Sequence, residues 1–145
     1  MNIRIKGGQV LSGEIHPSGS KNSAVALIPA SLMVAGKVIL KNVPDITDVR
    51  RLVSILEKLE SKVSWDKQNK ELHLDNSYLS LSSLGQEDLG NMKGSSLLWG
   101  PLLSRFKKTS FDELPGGCTL GARPLDAHFD AFADLGVEIT ETDGV

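Results

Sequence analysis

A glycine-rich stretch with one cysteine and one arginine is the part of this sequence best suited to chemistry. It reads LPGGCTLGARPLD, residues 114–126, and it holds the only cysteine of the chain, Cys118. Its glycines allow backbone conformations that other residues avoid, so the main chain can approach a ligand closely. Arg123 follows in the same loop, and nearby positive charge favours the reactive thiolate form of a cysteine. A free cysteine is more often a small buried apolar side chain, so a turn with an incidental thiol is the alternative.

A second stretch that suits chemistry is SGSKN, residues 18–22, where a loop runs into a predicted helix. Its serines and glycine are turn and capping residues, which places Lys21 and Asn22 at the helix start. Backbone N–H groups at a helix start favour an anion, and a lysine adds a point charge. The stretch therefore predicts a phosphate or carboxylate site, although an exposed lysine beside a capping serine is also commonplace.

The composition describes one globular unit, or two small ones that share a core, in a chain of 145 residues. A formal net charge of −2 lacks the basic excess of a nucleic-acid-binding protein. No stretch approaches the roughly 20 apolar residues of a membrane span, and the N-terminus lacks the apolar segment of a signal peptide. The single cysteine excludes an internal disulfide and a cysteine-cluster metal site. We therefore expect a cytoplasmic protein with no cofactor, no metal, no membrane attachment and no nucleic-acid partner.

The first half of the sequence predicts strands around an apolar helix. Alternating apolar residues predict strands at 2–6 and 9–15, and an almost wholly apolar segment predicts a helix over 21–35 that is buried on most sides. Pro29 lies within that helix and predicts a kink or an irregular turn. Gly36 is a suitable stop for the helix.

The clearest helix begins after Pro44, with Asp45 as its cap. Its apolar stripe at helical spacing consists of Ile46, Val49, Leu52, Val53, Leu56 and Leu59. A strand at 37–43 precedes this helix, and two strands at 62–65 and 71–74, joined by a polar turn, follow it.

The second half repeats this order after a serine-rich connection at 78–88. A helix is predicted over 89–106 with Pro101 near its end, then a strand at 109–114, the cysteine loop, a short helix and a strand at 137–140. One face of the short helix carries Leu125, His128, Phe129, Phe132 and Leu135. The histidine is expected to pack there instead of binding a metal, since no second ligand stands at metal-binding spacing.

The two halves are related by an internal repeat. Pro29 precedes Pro101 by 72 residues, and apolar positions later in each half are related by 76 residues. These later pairs are Leu56 with Phe132, Leu59 with Leu135, and Val63 with Ile139. Repeats of this length predict stacked units that do not close a core alone. We therefore expect the chain to be the front part of something larger, with an open strand edge or helix face.

With these motifs the chain resembles the N-terminal part of the bacterial UDP-N-acetylglucosamine 1-carboxyvinyltransferases, a family of enolpyruvyl transferases. The resemblance runs along essentially the whole chain and is densest in SGSKN, in the GP pair at 100–101, and above all in LPGGCTLGARPLD. It implies an inside-out α/β barrel of two domains with three strand–helix units each, about two of six being present here. Residues 1–20 would be strands that pack with the distal domain. Residues 21–145 would be a partial catalytic domain with repeats at about 21–75 and 86–145.

The resemblance implies that the 3-hydroxyl of UDP-N-acetylglucosamine attacks C2 of phosphoenolpyruvate and that phosphate leaves after a tetrahedral intermediate. This reaction is the first committed step of peptidoglycan precursor synthesis. Lys21 and Asn22 match the motif that contacts phosphoenolpyruvate, and Arg123 matches a loop arginine suited to phosphate. Cys118 matches the general acid toward C3, which can form a covalent adduct and is alkylated by fosfomycin. The positions that match the UDP-sugar site are Arg123, Pro124, Leu125, Asp126 and Ala127.

The chain departs from the family pattern in two respects. Lys93 stands in NMKGSS where the family usually has an arginine, which keeps the charge but not the bidentate geometry. The family's catalytic aspartate and several of its anion-binding residues have no counterpart within 1–145, and no residue here is assignable as the general base toward the sugar hydroxyl. We therefore expect the chain alone to be inactive, and to need the remainder of the enzyme or a self-associated copy to cover its open edge.

Three interpretations stay open. The first is part of an enolpyruvyl transferase, and the second is a non-catalytic truncated paralogue that binds UDP-sugar or a protein partner. The joint presence of Lys21, Cys118 and Arg123 favours the first, because a binding module has no need for an acid. A redox role for Cys118 is the third, although the chain has no resolving cysteine. The related 5-enolpyruvylshikimate-3-phosphate synthases share the repeated fold but lack the cysteine loop, so they are a weaker match.

Overall fold

The structure, a computed structural model, describes residues 2–85, 96–110 and 124–140. Its helices are α1 (Lys21–Ser31), α2 (Thr47–Lys58), α3 (Ser96–Phe106) and α4 (Asp126–Asp134). Its strands are β1 (Lys37–Leu40), β2 (Lys62–Asp66) and β3 (Glu71–Asp75). Helices cover one face of the small sheet, which confirms the predicted combination of helices and strands in one core.

The sheet is antiparallel throughout, with the strand order β1-β3-β2. Side chains along a strand alternate between the two faces of a sheet. The register places Val38 and Val63 on either side of Leu74, so these three side chains share the face that packs on the helices. Asp66 accepts two backbone hydrogen bonds, both of 3.0 Å, within the turn between β2 and β3. The two strands and the polar turn predicted here are confirmed.

The apolar stripe of α2 forms the centre of the core, in contact with α1 and with β2. Its members Val49, Leu52, Leu56 and Leu59 have no exposed surface. Burial of an aliphatic side chain of this size contributes about 1.5–3 kcal/mol. The predicted stripe is therefore confirmed, and it turns the polar side of α2 toward solvent.

Helix α1 is shorter and less buried than predicted. It begins at Lys21 but ends at Ser31, two residues after Pro29, instead of at residue 35. Because Pro29 lacks a backbone N–H group, the helix is weakened there, and the chain leaves it through i→i−3 hydrogen bonds such as that from Leu32 N–H to the Pro29 carbonyl. Leu27 on the outer side is 53% exposed. The predicted stop at Gly36 is also wrong, because this glycine lies outside α1 and directly precedes β1.

A buried asparagine connects these elements at the end of β3. Asn76 has no exposed surface, and its Nδ2 donates to the Ser31 carbonyl at 2.8 Å while its Oδ1 accepts from Ser61 Oγ at 2.6 Å. Its backbone N–H donates to the Gly36 carbonyl, and its own carbonyl accepts from Arg105 Nη2, both at 2.9 Å. One residue thus joins α1, the start of β1, the segment between α2 and β2, and α3.

Residues 2–20 do not form the strands predicted at 2–6 and 9–15. Alternation of apolar residues indicates a strand, but a strand needs a neighbour for its backbone hydrogen bonds. Among the described residues, no strand lies beside this segment. Its apolar side chains are accordingly between 76% and 98% exposed, namely Ile3, Ile5, Val10, Leu11 and Ile15.

The second half of the chain differs from the prediction mainly in its strands. The helix predicted over 89–106 is observed as α3, and residues 89–95 lie outside the described residues. The strand predicted at 109–114 is not formed at 109–110, and its remainder lies outside the described residues as well. The strand predicted at 137–140 is wrong, because this segment pairs with no strand of the described part.

Helix α4 uses only part of its apolar face for packing. Phe129 and Phe132 are partly buried, which agrees with the prediction. Leu135 is 81% exposed, so the prediction that it packs on this face is wrong. His128 is also exposed, yet its ring contacts Trp99, so its predicted packing is observed in part. In the described ranges, α4 lacks a second layer that would cover these side chains.

The two helices that the predicted repeat relates are packed against each other. Pro29 lies inside α1 and Pro101 inside α3, both prolines are buried, and the two helices contact each other. The division of the chain into a segment 1–20 and repeats at about 21–75 and 86–145 stays a prediction.

Candidate active site

The start of α1 is held closely against the loop that precedes α2. Ser20 caps α1, and its side chain accepts a backbone hydrogen bond of 3.3 Å from the first turn. A Cβ atom on Gly19 would lie 1.8 Å from the backbone oxygen of Asn42, so only glycine fits this crossing. Lys21 and Asn22 are the first two residues of α1, and both are exposed. The helix-start position predicted for them is therefore observed.

Lys21 forms an ion pair that reaches from the first turn of α1 to the first turn of α2. Its Nζ lies 2.5 Å from Oδ2 of Asp48, and the two side chains are 59% and 36% exposed. An ion pair this exposed stabilises the folded state by at most about 1 kcal/mol. The contact therefore matters more for where the ammonium group lies than for the stability of the fold.

The predicted cap of α2 is replaced by a charge cluster. Ile46 occupies the N-cap position and makes no side-chain cap hydrogen bond, so the assignment of Asp45 as the cap is wrong. Asp45 instead accepts hydrogen bonds of 2.6 and 2.9 Å from the Arg50 guanidinium, and Lys67 Nζ lies 3.3 Å from it. The Arg50 guanidinium lowers the pKa of the Asp45 carboxyl below its ordinary value. This carboxylate is thus engaged by its own cations and lies apart from the pair made by Lys21.

The start of α4 places four predicted sugar-site residues in a single turn. Leu125 directly precedes the helix and is buried, and its carbonyl accepts backbone hydrogen bonds of 2.8 and 3.2 Å from the first turn. Asp126 is the first residue of α4, where a carboxylate is favoured by the helix dipole. Pro124 and Ala127 are exposed on either side of it.

Aromatic contacts anchor α4 to α3. The buried Trp99 ring stacks on Phe129 with 5.5 Å between ring centroids and 11° between planes. The His128 ring meets Trp99 edge-on at 6.5 Å and 80°. Aromatic pairs in such geometries stabilise a contact beyond the area they bury. The orientation of residues 124–127 therefore depends on α3.

Three residues of the predicted site, Lys93, Cys118 and Arg123, lie outside the described residues. Within the described part, the structure places Lys21 and Asn22 at the start of one helix and residues 124–127 at the start of another. It adds Asp48, which analysis of the sequence missed. An acidic residue in the first turn of a helix is a common stabilising feature, so nothing in the local pattern indicates that it pairs with a distant lysine.

Other features of the described residues point to no further ligand. A shallow groove of about 300 Å³ lies on the outer face of the sheet, and its lining includes Lys37, Ile39, Lys62, His73 and Asp75, none of which belongs to the predicted site. Within the described ranges, no group of three or more His, Cys, Asp or Glu side chains is arranged to hold a metal ion. No helix within these same ranges has the length and apolar character of a membrane span.

Comparison with protein families matches residues 5–145 to the family described as EPSP synthase (3-phosphoshikimate 1-carboxyvinyltransferase). The chain is also 44% identical over 140 residues to UDP-N-acetylglucosamine 1-carboxyvinyltransferase 2 of Staphylococcus aureus strain Mu50. The same identity and length hold for the protein of that name from Staphylococcus epidermidis. Each alignment covers 97% of this chain but 33% of the relative, so the chain spans about a third of the length of the curated relatives it matches.

Among solved structures, the chain is similar to the enolpyruvyl transferase NikO from Streptomyces tendae, with a TM-score of 0.72 and 25% sequence identity. The similarity covers 95% of this chain and 29% of that structure. The arrangement of helices and sheet is therefore a partial form of the enolpyruvyl transferase fold, which confirms the predicted fold class.

Proposed function

Because this chain belongs to the EPSP synthase family, we propose that it provides one side of an active site for enolpyruvyl transfer. The donor is phosphoenolpyruvate and the acceptor is the 3-hydroxyl of UDP-N-acetylglucosamine. The observation that carries the proposal is the 44% identity over 140 residues with staphylococcal proteins named for that reaction. The cysteine loop LPGGCTLGARPLD supports this acceptor over the 3-phosphoshikimate that the family description names.

The reaction adds and then eliminates across the double bond of phosphoenolpyruvate. The oxygen of the sugar hydroxyl forms a bond to C2 while C3 takes a proton, which gives a tetrahedral intermediate. The bond from C2 to the phosphate oxygen then breaks, C3 loses a proton, and the enolpyruvyl ether and inorganic phosphate remain. We assign the proton transfer to C3 to Cys118, because a thiol beside a cation has an accessible thiolate form and can act as an acid.

We assign anion binding to the residues around the start of α1 and to the cysteine loop. Lys21 lies at the capped start of α1, where backbone N–H groups and the helix dipole also favour an anion. Asn22 follows it on the same exposed turn. Arg123 and Lys93 complete the proposed cationic set, with the planar fork of the arginine suited to phosphate. Such preorganised donors stabilise the charge that develops as phosphate leaves.

We assign sugar binding to the turn at the start of α4. Asp126 begins the helix, and Pro124 and Ala127 are exposed beside it, so this turn has both a charged group and accessible surface. The contact between Trp99 and Phe129 holds this turn on α3. We infer that residues 123–127 bind the UDP-sugar while the helix start of α1 binds phosphoenolpyruvate.

The proposed site is completed by protein outside this chain. The chain spans 33% of the matched staphylococcal relative, and none of its residues is assigned as the base that accepts the sugar proton. We therefore propose that the remaining part of the enzyme supplies this base, that the chain alone is inactive, and that the complete enzyme serves peptidoglycan precursor synthesis in the cytoplasm. The single cysteine suits a reducing compartment.

Ligand-observed NMR tests the assignment of the acceptor. Saturation transfer from the chain to UDP-N-acetylglucosamine is measured with phosphoenolpyruvate present, and 3-phosphoshikimate is the competing acceptor. We expect transfer to the UDP-sugar, weakened by Asp126→Ala and unaffected by Asp134→Ala at the other end of α4. Stronger transfer to 3-phosphoshikimate would assign the other acceptor, and absence of transfer to both would overturn the sugar-binding role.

A further inference from the structure

Asp48 lies where it can control the lysine that the proposed function uses. Its Oδ2 is 2.5 Å from Lys21 Nζ, and it belongs to the first turn of α2 while Lys21 belongs to the first turn of α1. From this contact we propose that Asp48 is a positioning residue for Lys21. It holds the ammonium group at the start of α1, where the phosphate of phosphoenolpyruvate binds. This inference rests on the proposed function.

The backbone around the pair is fixed, so the lysine side chain is the part that needs to be held. Gly19 lies against the backbone of Asn42 with no room for a Cβ atom, and Ser20 caps α1. The two helix starts are thus set relative to each other by contacts that do not involve Lys21. A lysine ends a flexible four-carbon stem, and a carboxylate within ion-pair distance restricts where that stem places its charge.

The pair leaves the ammonium group free to bind an anion at the same time. An ammonium group has three N–H donors, and Asp48 Oδ2 engages one of them. Two donors are left for the oxygens of a phosphate, next to the backbone N–H groups of α1. Asp48 can therefore orient the Lys21 ammonium group and still leave N–H donors for a phosphate.

Two other roles for Asp48 make different predictions. An acidic residue in the first turn of α2 also stabilises that helix through its dipole, which would affect folding but not the lysine. A carboxylate near a phosphate site also repels the anion, and its removal would then improve binding of phosphoenolpyruvate. The neighbouring Asp45 is the matched control, because it pairs with Arg50 and Lys67 instead of Lys21.

Kinetics of a chimaera separate these roles. In the chimaera, this chain replaces the matching third of the Staphylococcus aureus relative. We expect Asp48→Ala to lower kcat/KM for phosphoenolpyruvate about two- to fivefold, the scale set by an ion pair this exposed. Asp48→Asn recovers part of the loss because its amide oxygen still accepts a hydrogen bond, Asp45→Ala leaves the rate unchanged, and Asp48→Ala adds nothing to Lys21→Ala. An unchanged or higher kcat/KM in Asp48→Ala overturns the inference.

NMR of the chain labelled with ¹⁵N-lysine tests the positioning without any need for activity. A lysine ammonium held in an ion pair exchanges its protons slowly enough for a direct correlation, and the Lys21 signal is identified by its loss in Lys21→Arg. We expect this signal in the wild-type chain and in Asp45→Ala, and its loss in Asp48→Ala. If Asp48→Ala retains the signal and only unfolds more easily, Asp48 serves the helix alone and the inference is wrong. A wild-type signal in a chain whose chimaera is inactive would refute the proposed function and leave the positioning intact.

Discussion

At the scale of single residues, Asn76 does most to hold together the elements from which the site is built. Its side chain donates to the carbonyl of Ser31 and accepts from the hydroxyl of Ser61, so the two ends of the amide are not interchangeable. Aspartate would lose the donor, and leucine would lose both contacts. Arg105 reaches the backbone of the same residue from α3, and through it the second half of the chain is tied to the first.

Asn76→Ala is predicted to destabilise the chain by about 1–3 kcal/mol, since two buried hydrogen bonds are lost and each contributes about 0.5–1.5 kcal/mol. Urea unfolding followed by circular dichroism measures the loss. Asn2→Ala is the matched control, because Asn2 is exposed in the N-terminal segment. Equal unfolding free energies for the two variants would show that the hydrogen bonds of Asn76 contribute nothing net.

At the scale of elements, the sequence correctly predicts those helices and strands that depend on contacts within a few residues. The stripe of α2 and the β2–β3 hairpin are correct because periodicity and turn chemistry act within a few residues. The end of α1 is misplaced because Pro29 removes a helical hydrogen bond earlier than the apolar run indicates. Aspartate is a residue type favoured at a helix N-cap, yet the carboxylate of Asp45 pairs with Arg50 and Lys67 instead. Competition among partners is not visible in a local pattern.

The crossing of the SGSKN loop over the segment before α2 is the element-scale feature that fixes the start of α1, where we propose that an anion binds. Gly19→Ala is predicted to destabilise the fold by about 1–3 kcal/mol, the usual range for overpacking, because its Cβ would overlap the Asn42 carbonyl. The same change is predicted to weaken the Lys21–Asp48 pair. Thermal unfolding and the Lys21 ammonium signal check both effects.

Gly36→Ala is the control for this change. Nothing lies within 4 Å of a Cβ built on Gly36, and its backbone is not in the left-handed region. Gly36 is half-buried, but an added methyl group meets no atom, so the effect is expected to stay within about 0.5 kcal/mol. If Gly19→Ala proves as mild as Gly36→Ala, the close approach of the two loops does not set the site.

At the scale of the whole molecule, the fold class could be predicted from the sequence and the non-local contacts could not. The motifs predict residues for a phosphate site and a sugar site, and those at 21–22 and 124–127 lie at two helix starts in the structure. The pairing of Lys21 with Asp48 depends on the packing of α1 against α2, which no spacing reveals. The prediction of two N-terminal strands is wrong for the same reason, because the local sequence does not show whether a neighbouring strand is available to pair with them.

Several apolar side chains lie in solvent, and they are expected to meet further protein. They are Leu27, Met33 and Val34 after or within α1, Leu135 after α4, and the apolar residues of 2–15. The curated relatives are about three times as long as this chain. We expect the remainder of such an enzyme, or a second copy of the chain, to cover these surfaces.

The most direct test of the account is phosphate release from phosphoenolpyruvate and UDP-N-acetylglucosamine when the chain is mixed with a separately produced remainder of the Staphylococcus aureus relative. We predict that neither part releases phosphate alone, that the mixture does, and that Cys118→Ala in this chain abolishes the release. A silent mixture in which both parts are folded would contradict the proposed function. Release from the chain alone, or full activity of Cys118→Ala, would contradict it as well.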